Sequence, residues 1–301
     1  MPVLVVGSVA FDSLKTPHGE ADEILGGAAS YFSVAASFFT PVNLVAVVGD
    51  DFGDEQLRAF KGRSIDTTGI ERAPGRTFRW SGEYTGDMSE AKTLDTQLNV
   101  FERFAPKIPD KYLESDFVFL ANIHPVLQLQ VREQLPHAKF VGLDTMNYWI
   151  NGTPEELRRT LARVDLLVIN DKEARVLAGI DNLRRAAAAV RKMGPRWLVV
   201  KRGEFGASLF QEDSIFFVPG YPLEEVHDPT GAGDTFAGGL MGHLTRTGEV
   251  SDRSLRQALV YGSVMASFAV EEFGLSRLLR LTSDEIARRF SEFKAMTHFE
   301  V

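Results

Sequence analysis

Cysteine is missing from all 301 residues, which excludes disulfides, thiolate metal centres and a cysteine nucleophile. A chain that needs no disulfide fits a reducing compartment, and a cytoplasmic location is the expectation. Positive charge is also short: 33 Lys and Arg against 41 Asp and Glu give a net charge of −8. The basic residues form no long run, and Arg184-Arg185 and Arg288-Arg289 read as pairs on solvated helix faces. An acidic chain of this kind is a poor nucleic-acid binder, so no nucleic-acid partner is expected. No apolar run reaches the 18 residues a membrane span needs, and MPVLVVGSVAFD has neither the basic start nor the small-residue cleavage site of a signal peptide.

What is present is an ordinary globular balance, 44% hydrophobic and 25% charged, in a length that supports a sizeable core without staples. Short apolar runs recur at residues 3–6, 43–48, 117–120, 140–143, 166–169 and 197–200. They do not alternate strictly, as expected of strands covered on both faces in a parallel sheet. Helical stretches lie between them at 28–39, 54–61, 154–163 and 181–193, the third with Thr153 as N-cap and Pro154 at N1. The last third predicts two long helices, 233–246 and 252–272, carrying small residues such as Ala237, Gly238, Gly239 and Gly262. Alternating strands and helices indicate an α/β fold. Two segments, about 12–25 and 76–104, break that rhythm with strand-like spacing and turn residues, and predict a small lid of antiparallel strands outside the main sheet.

The stretch HDPTGAGDTFAGG, residues 227–239, places small residues and a carboxylate at a helix start. The first N–H groups of a helix have no intrahelical acceptor, and with the macrodipole they form an anion site. Gly231, Ala232 and Gly233 leave that site open to phosphate oxygens. A carboxylate beside it, Asp234, repels the anion unless it has a task, and accepting the proton of an attacking hydroxyl is one. Taken alone, Asp234 also reads as a first-turn acid that complements the helix dipole. The string is neither a Walker A loop, since no Gly-Lys-Ser/Thr follows, nor a dinucleotide fingerprint, since Phe236 fills the third glycine position.

DPTGAGDTFAGG resembles the second signature of the ribokinase (PfkB) family of carbohydrate and nucleoside kinases, and the resemblance extends over the whole chain. GSVAFD is similar to the first strand, ending at a substrate-binding aspartate, here Asp12. Gly26-Gly27 resembles the double glycine that lets backbone meet substrate. VGDDFGDEQLRAF, residues 48–60, is similar to the strand and helix that follow. Asn170 and Glu173 match the N-x-x-E motif, and VKRGEFGASLF, residues 200–210, resembles the strand and turn under the nucleotide, with Lys201, Gly203 and Gly206.

The resemblance implies one ribokinase-like domain over 1–301, a three-layer sandwich with a mostly parallel sheet and a β lid. It implies transfer of the ATP γ-phosphate to a hydroxymethyl group of a sugar-like substrate. Asp234 becomes the general base, and the backbone of Gly231, Ala232 and Gly233 the anion hole. Asp12, Gly26 and Gly27 hold the acceptor, and Asn170 and Glu173 organise Mg²⁺ through water. Asp228 and Thr230 match the positions that bind a monovalent cation such as K⁺ in potassium-activated members.

Each motif has a plainer reading beside this one: Asn170 and Glu173 as a capping box, Asp12 as a turn residue, Gly26-Gly27 as a helix lead-in, Gly203 and Gly206 as a hairpin turn. The asparagine that often follows the double glycine is absent here, where GGAASYFS places Ser30 and Tyr31. Phe78, Trp80 and Tyr84 in the lid, and Tyr148-Trp149 after a strand, offer faces for a nucleobase or sugar, or pack against one another. A carbohydrate is the first expectation and a ribonucleoside the second. A non-catalytic binding protein on the same fold is the alternative of another class, and a lid-to-lid homodimer is a possible assembly.

Overall fold

The computed structural model describes residues 1–298. The first strand β1 (Val3–Val6) is fully buried. Two strands follow, β2 (Ala10–Thr16) and β3 (Gly19–Gly26), then helix α1 (Ala28–Ala36), β4 (Val42–Val48), the single turn α2 (Asp54–Leu57) and β5 (Ile65–Arg72). The second excursion is β6 (Phe78–Tyr84) and β7 (Ala91–Gln97). The chain then alternates through β8 (Phe117–Leu120), α3 (Pro125–Gln134), β9 (Phe140–Asp144), α4 (Asn147–Gly152), α5 (Pro154–Leu161), β10 (Leu166–Asn170), α6 (Asp171–Ala178), α7 (Leu183–Arg191) and β11 (Trp197–Lys201). It closes with β12 (Ala207–Phe210), β13 (Ile215–Val218), α8 (Ala232–Thr247), α9 (Asp252–Ala269), α10 (Ser276–Arg280) and α11 (Ser283–Thr297).

Nine strands form the main sheet in the order β13-β12-β11-β10-β9-β8-β1-β4-β5. All run the same way except β12, which pairs antiparallel with both its neighbours. Its two faces bury two cores with strand periodicity: Val3, Val5, Phe119, Val168 and Val199 point to one side, and Leu4, Val6, Leu120, Ile169 and Val200 to the other. Helices α1, α8 and α9 cover the first face, and α5, α6 and α7 the second. The result is the expected three layers.

The small residues of α8 set how closely that layer packs. A β-carbon on Gly238 would stand 2.4 Å from the Phe32 carbonyl of α1, and one on Gly239 2.8 Å from the Tyr261 carbonyl of α9. Backbone therefore meets backbone on both sides of α8.

Several elements differ from expectation. The lid sheet has the order β3-β2-β6-β7, and its two hairpins join through β2 and β6, which run parallel. The lid is thus mixed rather than antiparallel, because the two excursions leave the main sheet in the same direction. Thr153 does not cap α5 with its side chain; its hydroxyl donates to the Trp149 carbonyl at 3.2 Å. Helix α7 starts at Leu183 because the Asn182 carboxamide accepts the Arg185 N–H at 3.1 Å. Strands β5 and β13 and helices α3, α4, α10 and α11 are additional to the sequence reading. No helix among the described residues is long and apolar enough to cross a membrane.

Candidate active site

Parallel strands bring their C-terminal ends to one edge of the sheet. The chain builds outward from β1 to β4 and β5 on one side, and from β8 to β11 on the other, so the connections diverge between β1 and β8. A crevice at such a divergence is where open α/β sheets bind ligands. It is narrow at its floor: a β-carbon on Gly7, after β1, would stand 2.7 Å from the Ala121 side chain, after β8. Asn170 and Lys201 end β10 and β11 at this edge, and Asp12 and Gly26 lie on the lid strands.

Asp12 sits on β2, one strand beyond the end of β1 where the sequence pattern placed it. It is 4% exposed. Its Oδ2 accepts the Gly27 N–H at 3.4 Å and lies 1.9 Å from where a β-carbon on Gly26 would be. Gly26 is therefore a glycine because Asp12 occupies its side-chain space. Gly27, at φ +90°, is one because a β-carbon would reach 2.6 Å from the Ser8 carbonyl. The double glycine thus closes on the protein's own groups, a reason internal to the fold. Burial pushes the Asp12 carboxyl up to about 7; the Gly27 N–H opposes this, and the charges of Asp228 and Asp234 add to it.

The anion loop enters α8 through Gly231, held in the left-handed region at φ +71° with the Tyr31 ring 2.4 Å from any added β-carbon. Thr235 makes the first i→i−4 bond of the helix, to the Gly231 carbonyl, and the Ala232 N–H donates to Pro229 at 3.2 Å. Of the expected anion-hole donors, Ala232 is thus already engaged, while a β-carbon on Gly233 would stand 2.6 Å from Lys201 Nζ. Asp234 is half-buried beside it. Burial raises its carboxyl to about 6, moderated by Lys201 and by its own backbone N–H, with Glu173 pushing the same way as burial. A carboxylate titrating there is ionised at neutral pH and still basic enough to take a proton.

Asp228 is fully buried and accepts two backbone N–H groups, from Thr230 on Oδ1 and from Gly274 on Oδ2, both at 2.9 Å. It thereby ties the anion loop to the segment after α9. The Thr230 hydroxyl donates to Tyr84 Oη at 3.2 Å, joining the same loop to the lid.

On the β10–β11 side, the Asn170 carboxamide accepts the Glu173 N–H, and Glu173 Oε2 accepts the Asn170 N–H, both at 2.7 Å. The capping-box reading is what the structure shows, and this reciprocal cap fixes the position of the Glu173 carboxylate. Burial raises the Glu173 carboxyl, with Lys201 and the Asn170 N–H opposing. Lys172 on α6 pairs with Glu90 of the β6–β7 turn at 2.9 Å, so the lid tip reaches across to the N-x-x-E helix. Gly203, at φ +54°, opens to space in the β11–β12 turn, whereas Gly206 is turned inward, its side-chain position 2.0 Å from the Val218 carbonyl. Gly206 is a glycine because the turn packs it against the Val218 carbonyl.

One residue at the site, Asp144, escaped the sequence reading, and a second, Tyr31, was named there only as standing where an asparagine is often found. Asp144, at the end of β9, is 5% exposed and its carboxyl is pushed well up, first by burial, against the pull of Lys201. An acid closing an apolar strand of a parallel sheet was the available signal. Tyr31, fully buried against Gly231, has a hydroxyl with no partner among the described residues. The lid aromatics have separate partners: Phe78 stacks on Phe101 at 5.3 Å, Trp80 lies over Gly82 with its Nε1 donating to Thr93 at 3.3 Å, and the Tyr84 hydroxyl accepts from Thr230. Trp149 is pinned by Asn122 at 3.0 Å.

The site joins carboxylate oxygens at Asp144, Glu173 and Asp234, one ammonium and a helix N-terminus. Hard oxygen donors suit Mg²⁺, and the ammonium and helix suit phosphate. Comparison with known proteins agrees. Residues 4–280 match the model of the pfkB family carbohydrate kinases. The chain is 29% identical over 286 residues to the cytidine kinase of Thermococcus kodakarensis, covering 91% of this chain and 98% of that one. Among solved structures, it superposes on the Burkholderia thailandensis nucleoside kinase in complex with inosine with a TM-score of 0.76 at 20% identity, covering 97% and 99% of the two chains. A putative ribokinase II from E. coli, in complex with ATP and Mg²⁺, gives a TM-score of 0.79 at 20% identity with the same coverage. The fold is ribokinase-like, and the chain belongs to the pfkB family of carbohydrate kinases, phosphotransferases that act on hydroxyl groups.

Proposed function

We propose that this kinase transfers the ATP γ-phosphate to the 5′-hydroxymethyl group of a ribonucleoside. The observation that carries the reading is a pair of carboxylates in one cleft. Asp12 is buried without a cation and is raised by the charge of Asp234. A buried carboxylate with unfilled acceptor positions is stabilised by hydroxyl donors, and the vicinal 2′- and 3′-hydroxyls of a ribose supply two. Asp234 is then free for the third hydroxyl. It takes the 5′-hydroxyl proton as that oxygen bonds to the γ-phosphorus, the bond to the bridging β,γ-oxygen breaks, and ADP leaves. The N-terminus of α8 at Gly231 and Gly233 stabilises the charge on the transferred group.

Mg²⁺, when bound, neutralises phosphate charge. Glu173, with Asn170 fixing its position, would hold it through water, and Lys201 would contact the phosphates. Asp228 and Thr230 would bind a monovalent cation that rigidifies the anion loop. A nucleoside is favoured over a free sugar by the near full-length similarity to a cytidine kinase. Strand β7, exposed along almost its whole length at the lid edge, supports pairing of two lids, which light scattering would test.

The experiment is a coupled ADP-release assay with Mg²⁺-ATP and K⁺ against cytidine, adenosine, inosine, ribose, deoxyribose, fructose and inositol. A nucleoside should give the highest kcat/KM, and the signal should vanish in Asp234→Asn. A free sugar turned over at least about tenfold more efficiently than any nucleoside would replace this acceptor assignment.

A further inference from the structure

We propose that His18, Glu225 and His227 form a site for a divalent transition metal of the Zn²⁺ type, stapling the lid to the segment that leads into the anion loop. His18 lies in the β2–β3 hairpin turn, at the tip of the lid's first excursion. Glu225 and His227 lie in the segment just before Asp228. One ligand atom from each of the three comes within 4.8 Å of the other two. His227 Nε2 and Glu225 Oε2 are 3.4 Å apart. Two ligands at about 2.1 Å from a tetrahedral metal are separated by roughly that distance. The His18 and His227 rings have centroids 4.9 Å apart, so a small side-chain rotation brings the third ligand in.

The backbones that carry the two histidines are already held. The His18 N–H donates to the Thr16 hydroxyl at 3.1 Å, and the His227 N–H to the Val270 carbonyl at 2.8 Å. Gly19, next to His18, faces the Phe273 ring in the same segment that receives Asp228. The site therefore needs side-chain movement and no rearrangement of the chain. Two imidazoles and one carboxylate select Zn²⁺, Co²⁺ or Ni²⁺ over Mg²⁺ or Ca²⁺, which take all-oxygen sets. The site is thus distinct in chemistry from the oxygen-rich cleft that serves ATP. Three protein ligands leave a fourth position for water. An occupied site links the β2–β3 hairpin to the segment that leads into the anion loop and restrains that hairpin from moving away.

The test uses the full chain freed of metal by chelation. Co²⁺ is titrated while its visible absorption is followed, and Zn²⁺ by calorimetry, with hydrogen exchange of the β2–β3 hairpin measured in both states. One equivalent of Zn²⁺ should bind with Kd at about 10 µM or tighter, displace Co²⁺ and slow exchange in the hairpin. His18→Ala and Glu225→Gln change exposed side chains and should keep the melting temperature of the metal-free protein. Each should weaken binding at least about tenfold. His137→Ala, an exposed histidine elsewhere, should leave binding unchanged. Binding of equal strength in His18→Ala, or no binding at about 0.1 mM Zn²⁺, would overturn the assignment.

Discussion

The ammonium of Lys201 stands over the first turn of α8, with Nζ 2.6 Å from the point where a side chain on Gly233 would begin. A cation at a helix N-terminus opposes the macrodipole. It is tolerated because Asp144, Asp234 and Glu173 all feel its charge. Gly233→Ala should fold, since the group it displaces is the free end of a flexible chain and alanine favours the helix. It should nonetheless lower kcat/KM for ATP by about 10- to 100-fold, because Lys201 loses its place beside the proposed phosphate site. Lys201→Met should raise KM for ATP. It should also move the acid limb of the pH profile to higher pH, since the lysine holds the Asp234 carboxyl down. An unshifted limb in that variant would separate Lys201 from the base.

As the proposed base, Asp234 should give the reaction its acid limb. The base must be ionised, and burial holds its carboxyl at about 6, so kcat/KM should fall as pH drops through that value. Asp234→Asn should lose about 10²- to 10⁴-fold in kcat while ATP affinity stays within about threefold. Single-turnover kinetics and calorimetry check the two halves separately. A variant with near wild-type kcat would remove Asp234 from the role of base.

Asp12 should trade stability for binding. Its carboxyl lies at about 7 in the fold against an ordinary 3.8. Below pH 3.8 it is neutral whether folded or unfolded and imposes no penalty. As pH rises from 3.8 to about 7, the unfolded chain gives up a proton that the fold retains, so stability falls across that window. The full deficit, about 4 kcal/mol as an upper bound, is present above it. Asp12→Asn should therefore raise the melting temperature at pH 8 and lose that advantage in acid. Its KM for the nucleoside should rise at least about tenfold, because the amide loses the charge and replaces one acceptor oxygen with a donor at the proposed partner of the ribose hydroxyls. Thermal melts at two pH values, with steady-state kinetics, decide both.

Potassium should raise kcat relative to a bulky organic cation at equal ionic strength. The Asp228 carboxylate already spans the anion loop and the Gly274 segment, so a cation drawn to it tightens a connection that exists. Equal rates in both salts would remove the monovalent cation from the account.

The candidate site at the head of α8 was readable because its physics is local. Small residues and a carboxylate at a helix start mark a candidate anion site, with a candidate base beside it, wherever the rest of the chain goes. Asn170 and Glu173 cap their own helix within four residues. The buried strands announced themselves by short apolar runs, and the small residues of α8 by their spacing.

Asp144 was hidden because one acid after an apolar strand gains meaning only when β9, β10 and β11 stand side by side and Lys201 arrives from a strand more than 50 residues away. The glycine pair at 26–27 was visible, but its reason was not. Only the fold shows that Asp12 and the Ser8 carbonyl fill the spaces those side chains would take. The parallel join of β2 and β6, and the meeting of His18 with Glu225 and His227, likewise depend on where distant segments are carried. By itself the sequence determined the chemistry of each short segment, because capping, turn geometry and helix-end electrostatics act over a few residues. The tertiary structure alone decided which charges share the cleft and what each glycine makes room for, because burial and Coulomb interaction depend on distance in space rather than along the chain.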